Sequence, residues 1–241
     1  MHLSLVIPAY NEAERIGATL ASALEYFARQ EYASEIIVVD DGSTDDTAGV
    51  VGRYCAENPG LVRLESLPEN RGKGCAVRTG MLNLAAGEYR FYYDADGSTP
   101  IEELDRCPAL FDGGADIVIG SRALPESIIQ QRQAWYREQM GRCYNRIERA
   151  LGITSYPDTQ CGFKGFTARA TEICFSRQTV NRFSFDAELL YIATLHGLRV
   201  VELPVSWVNS PKSKVNPVSD AARMFVDLLA IRVKALVGRY T

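Results

Sequence analysis

The sequence predicts an α/β fold whose central sheet is mostly parallel and carries helices on both faces. Three observations predict it. Short apolar, β-branched runs alternate with segments of helical spacing through the first half of the chain. Polar clusters stand at or just beyond the ends of those runs, where open α/β sheets bind their ligands. The composition, 46% hydrophobic and 23% charged over 241 residues, suffices for one large core without staples.

The elements follow in chain order. Leu3–Ile7 is a first strand, and Asn11–Phe27 then sets Ile16, Leu20, Leu24 and Phe27 at helical spacing. Glu35–Val39 reads EIIVV, a second strand. Ser43 or Thr44 can cap the helix after it, whose early Asp45 and Asp46 suit the helix macrodipole. Leu61–Leu64 is a third strand, Arg71–Ala85 a helix, Arg90–Tyr93 a fourth strand and Asp116–Gly120 a fifth. Two later stripes have helical spacing. Tyr136, Met140, Cys143, Ile147 and Leu151 form one, with Arg137, Arg142, Arg146 and Arg149 off it; Ala222, Phe225, Leu229, Val233 and Leu236 form the other, widened by Met224, Leu228 and Ile231. Such stripes either face the core or lie in a bilayer interface, where flanking cations meet anionic headgroups.

Composition excludes several classes of function. A net charge of -4 and a pI near 5.4 give no global basic field, so nucleic acid is not expected as a partner. The six cysteines contain no C-x-x-C pair and only two histidines exist, which argues against zinc and a disulfide framework and suits a reducing compartment. Leu3–Ile7 is too short for a signal peptide, and no run reaches the ~18 apolar residues of a membrane span. The expected location is cytoplasmic, with any membrane contact peripheral.

Four clusters follow the first four strands: PAYNE (Pro8–Glu12), DDGS (Asp40–Ser43), NRGKG (Asn70–Gly74) and DAD (Asp94–Asp96). Facing one crevice, they would collect Glu12, Asp40, Asp41, Asp94 and Asp96 with the cations Arg71 and Lys73. Neither G-x-G-x-x-G nor G-x-x-x-x-G-K-[ST] is present. Asp94 and Asp96 are like charges at i and i+2, and folding alone does not ask for them. They can reach one Mg²⁺ or Mn²⁺ as hard oxygen ligands, and such a cation normally bridges a diphosphate.

The segments VIPAYNE (Val6–Glu12), IVVDDGSTD (Ile37–Asp45) and YDAD (Tyr93–Asp96) resemble the inverting GT-A glycosyltransferases of family 2. NRGKGCAVR (Asn70–Arg78), GSR (Gly120–Arg122), DTQCGFK (Asp158–Lys164), FDAELL (Phe185–Leu190) and SKV (Ser213–Val215) resemble the dolichyl-phosphate glucosyltransferase and mannose synthase branch, the glucosyl type more closely. The resemblance runs from Leu3 to about Ala235 and implies a single GT-A domain, with a nucleotide-sugar-binding half to about residue 118 and an acceptor-binding half from about 119 to 241. It implies that Pro8, Tyr10, Glu12 and Asp41 hold base and ribose. Asp40 either joins them or orients its loop. Lys73 and Arg78 would neutralise the donor phosphates, although a solvated helix face also explains Arg78. Asp94, Ala95 and Asp96 would contact the nucleotide-sugar, and Asp94 and Asp96 would hold the metal, with Asp96 the more direct ligand.

The nucleophile decides the remaining roles. A sugar hydroxyl needs a general base, for which Asp186 or Glu188 in FDAE is the candidate. A phosphomonoester has a second pKa of roughly 6 and arrives ionised, so it needs cations instead. The second half offers Arg122, Arg132, Arg137, Arg142, Arg146, Lys164, Lys212 and Lys214; of these Arg122 and Lys214 match the family's phosphate-handling positions, and Gln160 and Lys164 lie in its TQCGFK motif. The expected reaction moves a hexose to a polyprenyl phosphate, glucose from UDP-glucose first and mannose from GDP-mannose next, at the inner face of a membrane. A soluble hydroxyl acceptor is the alternative within the class, a sugar-nucleotide pyrophosphorylase the one outside it. A homo-oligomer stays open.

Overall fold

The computed structural model describes residues 2–131, 133–210 and 219–241. In chain order the elements are β1 (His2–Ala9), α1 (Ile16–Phe27), β2 (Ala33–Asp40), α2 (Thr47–Glu57), β3 (Val62–Ser66), α3 (Lys73–Arg78), β4 (Tyr89–Tyr93), α4 (Cys107–Asp112), β5 (Ile117–Ser121) and β6 (Ile128–Gln131). They continue with α5 (Trp135–Ala150), β7 (Phe163–Thr167), α6 (Ala168–Arg177), α7 (Phe185–Leu195), β8 (Val200–Pro204), β9 (Ser206–Val208) and α8 (Ser219–Leu236). Seven strands form one sheet in the order β3-β2-β1-β4-β7-β5-β8, and β6 pairs with β9. Both faces of the sheet are covered. Val6, Ile37, Val39 and Tyr92 pack with α6 and α7 on one side, and Leu5, Ile7, Val38 and Phe91 pack with α1 on the other.

The strand pairs β1–β2, β1–β4, β2–β3 and β5–β8 are parallel, as expected, but β7 runs antiparallel between β4 and β5. Phe163 pairs with Tyr93, so the loop entering β7 arrives where β4 ends. That reversal brings the DTQCG segment to the crevice.

Three boundaries differ from expectation. The first helix begins at Ile16 rather than Asn11, because Asn11 adopts φ +54 and its Oδ1 accepts from the backbone N–H groups of Thr44 and Asp45. The second helix starts at Thr47, and no side-chain cap closes it. The helix expected over Arg71–Ala85 starts at Lys73 and widens to a π turn over Thr79–Leu84 as the chain turns toward β4.

Candidate active site

The carboxyl ends of β1, β2, β4 and β5 and the loop entering β7 surround a crevice of about 420 Å³. Pro8, Tyr10, Glu12, Asp41, Lys73, Asp94, Ala95, Asp96, Arg122 and Gln160 line it, which brings together most of the residues singled out from sequence.

Each side chain is held by its own local geometry. Asp41, just past β2, accepts from the backbone N–H groups of Arg71 at 2.8 Å and Gly72 at 2.7 Å. Gly72 has φ +103, and a Cβ there would stand 2.4 Å from the Asn181 carbonyl oxygen, so only glycine fits this link. Burial raises the carboxyl of Asp41 above its ordinary range, against those two N–H bonds. Lys73 follows at once, its Nζ 2.6 Å from Asp94 Oδ1. Burial works against the charged amine, but Asp94, Asp186 and Asp96 outweigh it and raise its pKa.

Glu12 takes Arg15 through both oxygens, at 2.6 and 2.7 Å, and Arg15 Nη1 reaches to 3.9 Å from Asp96 Oδ2. Asp96 accepts from the Ser98 N–H at 3.0 Å. Burial and then the charge of Asp94 raise the carboxyl of Asp96. Asp94 lies against Gly162, where a Cβ would stand 2.0 Å from Asp94 Oδ2. Among the described residues no cluster of three or more His, Cys, Asp or Glu side chains could hold a metal. Two hard carboxylates at the wall of an open crevice still fit a cation that takes its other ligands from phosphate oxygens and water. Asp94 and Asp96 would hold it.

On the far side, Asp158 receives the backbone N–H of Arg122 at 2.9 Å, its Nε at 2.7 Å and its Nη2 at 2.8 Å. The guanidinium also lies over Trp207, 5.5 Å from the ring centroid. Burial would raise the carboxyl of Asp158, but Arg122 beside it wins and takes it down to about 2. Two Arg122 N–H groups on Nη1 and one on Nη2 remain for a ligand.

Several expected site residues are not in the lining. Lys164, on β7, is buried, and its Nζ bonds to the Cys161 carbonyl at 2.5 Å and to Asp186 Oδ1 at 2.7 Å, so it is no acceptor contact. Asp186 is buried with it and also accepts from the Tyr92 hydroxyl. Glu188 is fully buried and accepts from the N–H groups of Thr179 and Val180 and the hydroxyl of Tyr240 at 2.6 Å, a bracket between α7 and the preceding loop. Neither acid faces the crevice as a general base. Asp40 accepts from the N–H and hydroxyl of Ser43 and orients its loop. Arg78 donates to the Gln178 carbonyl at 3.2 Å. Arg132, Lys212 and Lys214, with the SKV segment, lie outside the described residues.

Arg15, Gln133, Arg182, Trp207 and Asn209 line the crevice and were not expected there. Only Arg15 had a local signal, an i+3 partner for Glu12. Gln133 comes from the link between β6 and α5, Arg182 from the loop before α7, and Trp207 and Asn209 from β9 and the residue just past it, segments whose place the sequence pattern did not reveal.

The description "Glycosyl transferase family 2" matches residues 4–174. The chain is 36% identical over 251 residues to a dolichyl-phosphate beta-glucosyltransferase of Trichomonas vaginalis, covering 100% of this chain and 74% of that protein. It is 35% identical over 253 residues to the dolichyl-phosphate beta-glucosyltransferase of Homo sapiens, covering 99% and 77%. Among solved structures, glucosyl-3-phosphoglycerate synthase from Mycobacterium tuberculosis in complex with Mn²⁺ and UDP-glucose superposes with a TM-score of 0.66 at 20% identity, covering 99% of this chain and 78% of that one. At that identity the likeness concerns the fold. The crevice, its paired acids and these relatives, matched along the whole of this chain, agree: the chain belongs to glycosyltransferase family 2, as a hexosyltransferase related to the dolichyl-phosphate beta-glucosyltransferases.

Proposed function

We propose that this protein transfers glucose, with inversion, from UDP-glucose to a polyprenyl phosphate. One observation carries the reading: the crevice joins the Asp94–Asp96 pair and Lys73 to Arg122, while Asp186 and Glu188 are turned inward. A hydroxyl acceptor needs a base where the attacking oxygen sits. A phosphomonoester arrives ionised at neutral pH, its second pKa being roughly 6, and asks for cations.

Pro8, Tyr10, Glu12 and Asp41 line the end of the crevice that would take base and ribose, and both carboxylates can accept from ribose hydroxyls or a base N–H. Lys73, paired with Asp94, would neutralise the negative charge that grows on the departing diphosphate. A bound Mg²⁺ or Mn²⁺ would supply Lewis-acid stabilisation of that same charge. Arg122, held by Asp158, and Gln160 would seat the acceptor phosphate so that one of its oxygens faces the anomeric carbon. Several relatives are named for dolichyl phosphate and a β-glucosyl product, and the mycobacterial synthase of like fold binds UDP-glucose with Mn²⁺, which supports this donor and acceptor.

The polyprenyl tail implies a membrane surface. No helix among the described residues is long and apolar enough to cross one. On α8, Phe225, Val226, Leu229, Val233 and Leu236 are exposed along one face, and Trp135, Tyr136 and Met140 are exposed at the start of α5. Peripheral binding through these faces, at the cytoplasmic leaflet, fits their composition.

The test is a panel of UDP- and GDP-sugars incubated with Mn²⁺ and either undecaprenyl phosphate or 3-phosphoglycerate. Lipid-linked glucose from UDP-glucose is expected to dominate. A preference for GDP-mannose would overturn the donor, and transfer to 3-phosphoglycerate alone would overturn the acceptor.

A further inference from the structure

The only buried side chain of α5 is a carboxylic acid. Glu148 has no exposed surface, on a helix whose inward neighbours Tyr144 and Ile147 are half-buried. Packing alone would place an aliphatic residue there, because a buried carboxyl costs free energy unless it is bonded. Both its oxygens lie on Thr159 Oγ1, at 2.9 and 3.0 Å. Thr159 is itself fully buried, and its Oγ1 accepts from Gln160 Nε2 at 3.2 Å.

The same loop is tied at two more points. Asn145, three residues before Glu148, donates through Nδ2 to the Pro157 carbonyl at 2.6 Å. Asp158 takes the backbone N–H of Gln160 at 3.1 Å beside its bonds from Arg122. The loop entering β7 is therefore clamped between α5 and the end of β5. Arg122 and Gln160 line the crevice; Glu148 does not.

We infer that Glu148 is a positioning residue. Through Thr159 it sets where Gln160 and the Asp158–Arg122 pair present their N–H donors to the acceptor phosphate. The assignment of that ligand rests on the acceptor reading above; the clamp itself does not. Burial, helped by the charges of Asp186 and Asp158 and opposed by the Thr159 hydroxyl, pushes the Glu148 carboxyl up to about 8. At neutral pH it is thus mostly the uncharged acid, for which glutamine is the isostere.

Two readouts test this on the full chain with E148Q, E148A and T159V. The first is the ¹H–¹⁵N resonance of Arg122 Nε, assigned by its loss in R122K. The second is steady-state transfer from UDP-glucose to undecaprenyl phosphate. E148A and T159V should shift or broaden the Nε resonance and raise KM for undecaprenyl phosphate about tenfold, with KM for UDP-glucose within about twofold, while E148Q restores both readouts. If E148A does not fold, T159V carries the same readouts. An unmoved resonance in the folded variants, or equal rises in both KM values, would contradict the inference. If the parent makes no lipid-linked glucose, the acceptor reading falls, and the resonance alone still decides the positioning role.

Discussion

Asp94 and Gly162 leave no room between them. A Cβ at Gly162 would overlap the Asp94 carboxylate, which stands at the wall of the crevice and can move only by disturbing its 2.6 Å pair with Lys73, whereas the glycine backbone itself needs no unusual φ. Gly162→Ala should therefore fold and melt close to the parent but lose about 10²-fold or more in transfer, since a reacting group displaced by roughly 1 Å costs that much. A variant melting far below the parent would point to structural damage instead. The acids withdrawn from the crevice predict the opposite pattern. Asp186→Asn leaves Lys164 buried without its charge partner, and breaking a buried pair costs roughly 3–5 kcal/mol. Its activity should fall with its denaturation midpoint while the pH profile of kcat keeps its shape; loss of the acidic limb of that profile in a fully stable variant would restore Asp186 as a base. Glu148 gives a pH dependence of stability. Its folded pKa is raised from 4.5 to about 8, so the folded state keeps a proton that the unfolded chain gives up. This group's contribution is then lost as pH rises from about 4.5 to 8. Melting temperatures measured across that window should decline less in Glu148→Gln than in the parent; equal slopes would sink the assignment. At this scale the sequence disclosed the acids of the crevice, because polar residues at strand ends carry a positional meaning. It could not separate Asp94 and Asp96 from Asp186 and Glu188, since all four are carboxylates in apolar surroundings and only packing decides which of them faces ligand.

Among the elements, β7 and α8 carry the most consequence. β1 to β5 were legible because each is a short β-branched or aromatic run followed by a turn or a polar cluster. β7, with the sequence FKGFT, has no such pattern: it buries a lysine and packs a glycine against Phe91, so its antiparallel place comes from tertiary fit rather than from propensity. That unforeseen reversal carries Gln160, Asp158 and Gly162 to the ends of the parallel strands. α8 was legible as a helix of apolar stripe, but its orientation was not. Leu228 and Ile231 face the core, and Phe225, Leu229, Val233 and Leu236 face outward. Leu229→Asp with Val233→Asp should leave the melting temperature within a few degrees and, under the proposed peripheral binding, weaken sedimentation with anionic phospholipid vesicles by about tenfold, because both side chains are exposed and no core area is lost. Ile231→Ala should destabilise the fold by roughly 2–5 kcal/mol. Vesicle binding unaffected by the double change would remove α8 from the membrane contact.

For the whole molecule, a run of parallel strands and the loop entering a reversed strand meet at one crevice, the arrangement that the proposed transfer from a soluble donor to a lipid-borne acceptor would use. The proposed donor end would be built from residues 8–96, the part of the chain where strand-end clusters were readable. The proposed acceptor end would use Arg122, Gln160, Arg182 and Trp207, which line the crevice and which only the folded chain assembles. The most direct measurement is the initial rate at which the protein makes lipid-linked glucose from radiolabelled UDP-glucose and undecaprenyl phosphate. With Mn²⁺ the parent should form a β-linked product, chelation with EDTA should abolish it, and Asp96→Ala should fold normally but remain inactive whatever the metal. Metal-independent product, or a folded Asp96→Ala enzyme that keeps the parent's rate, would contradict the account.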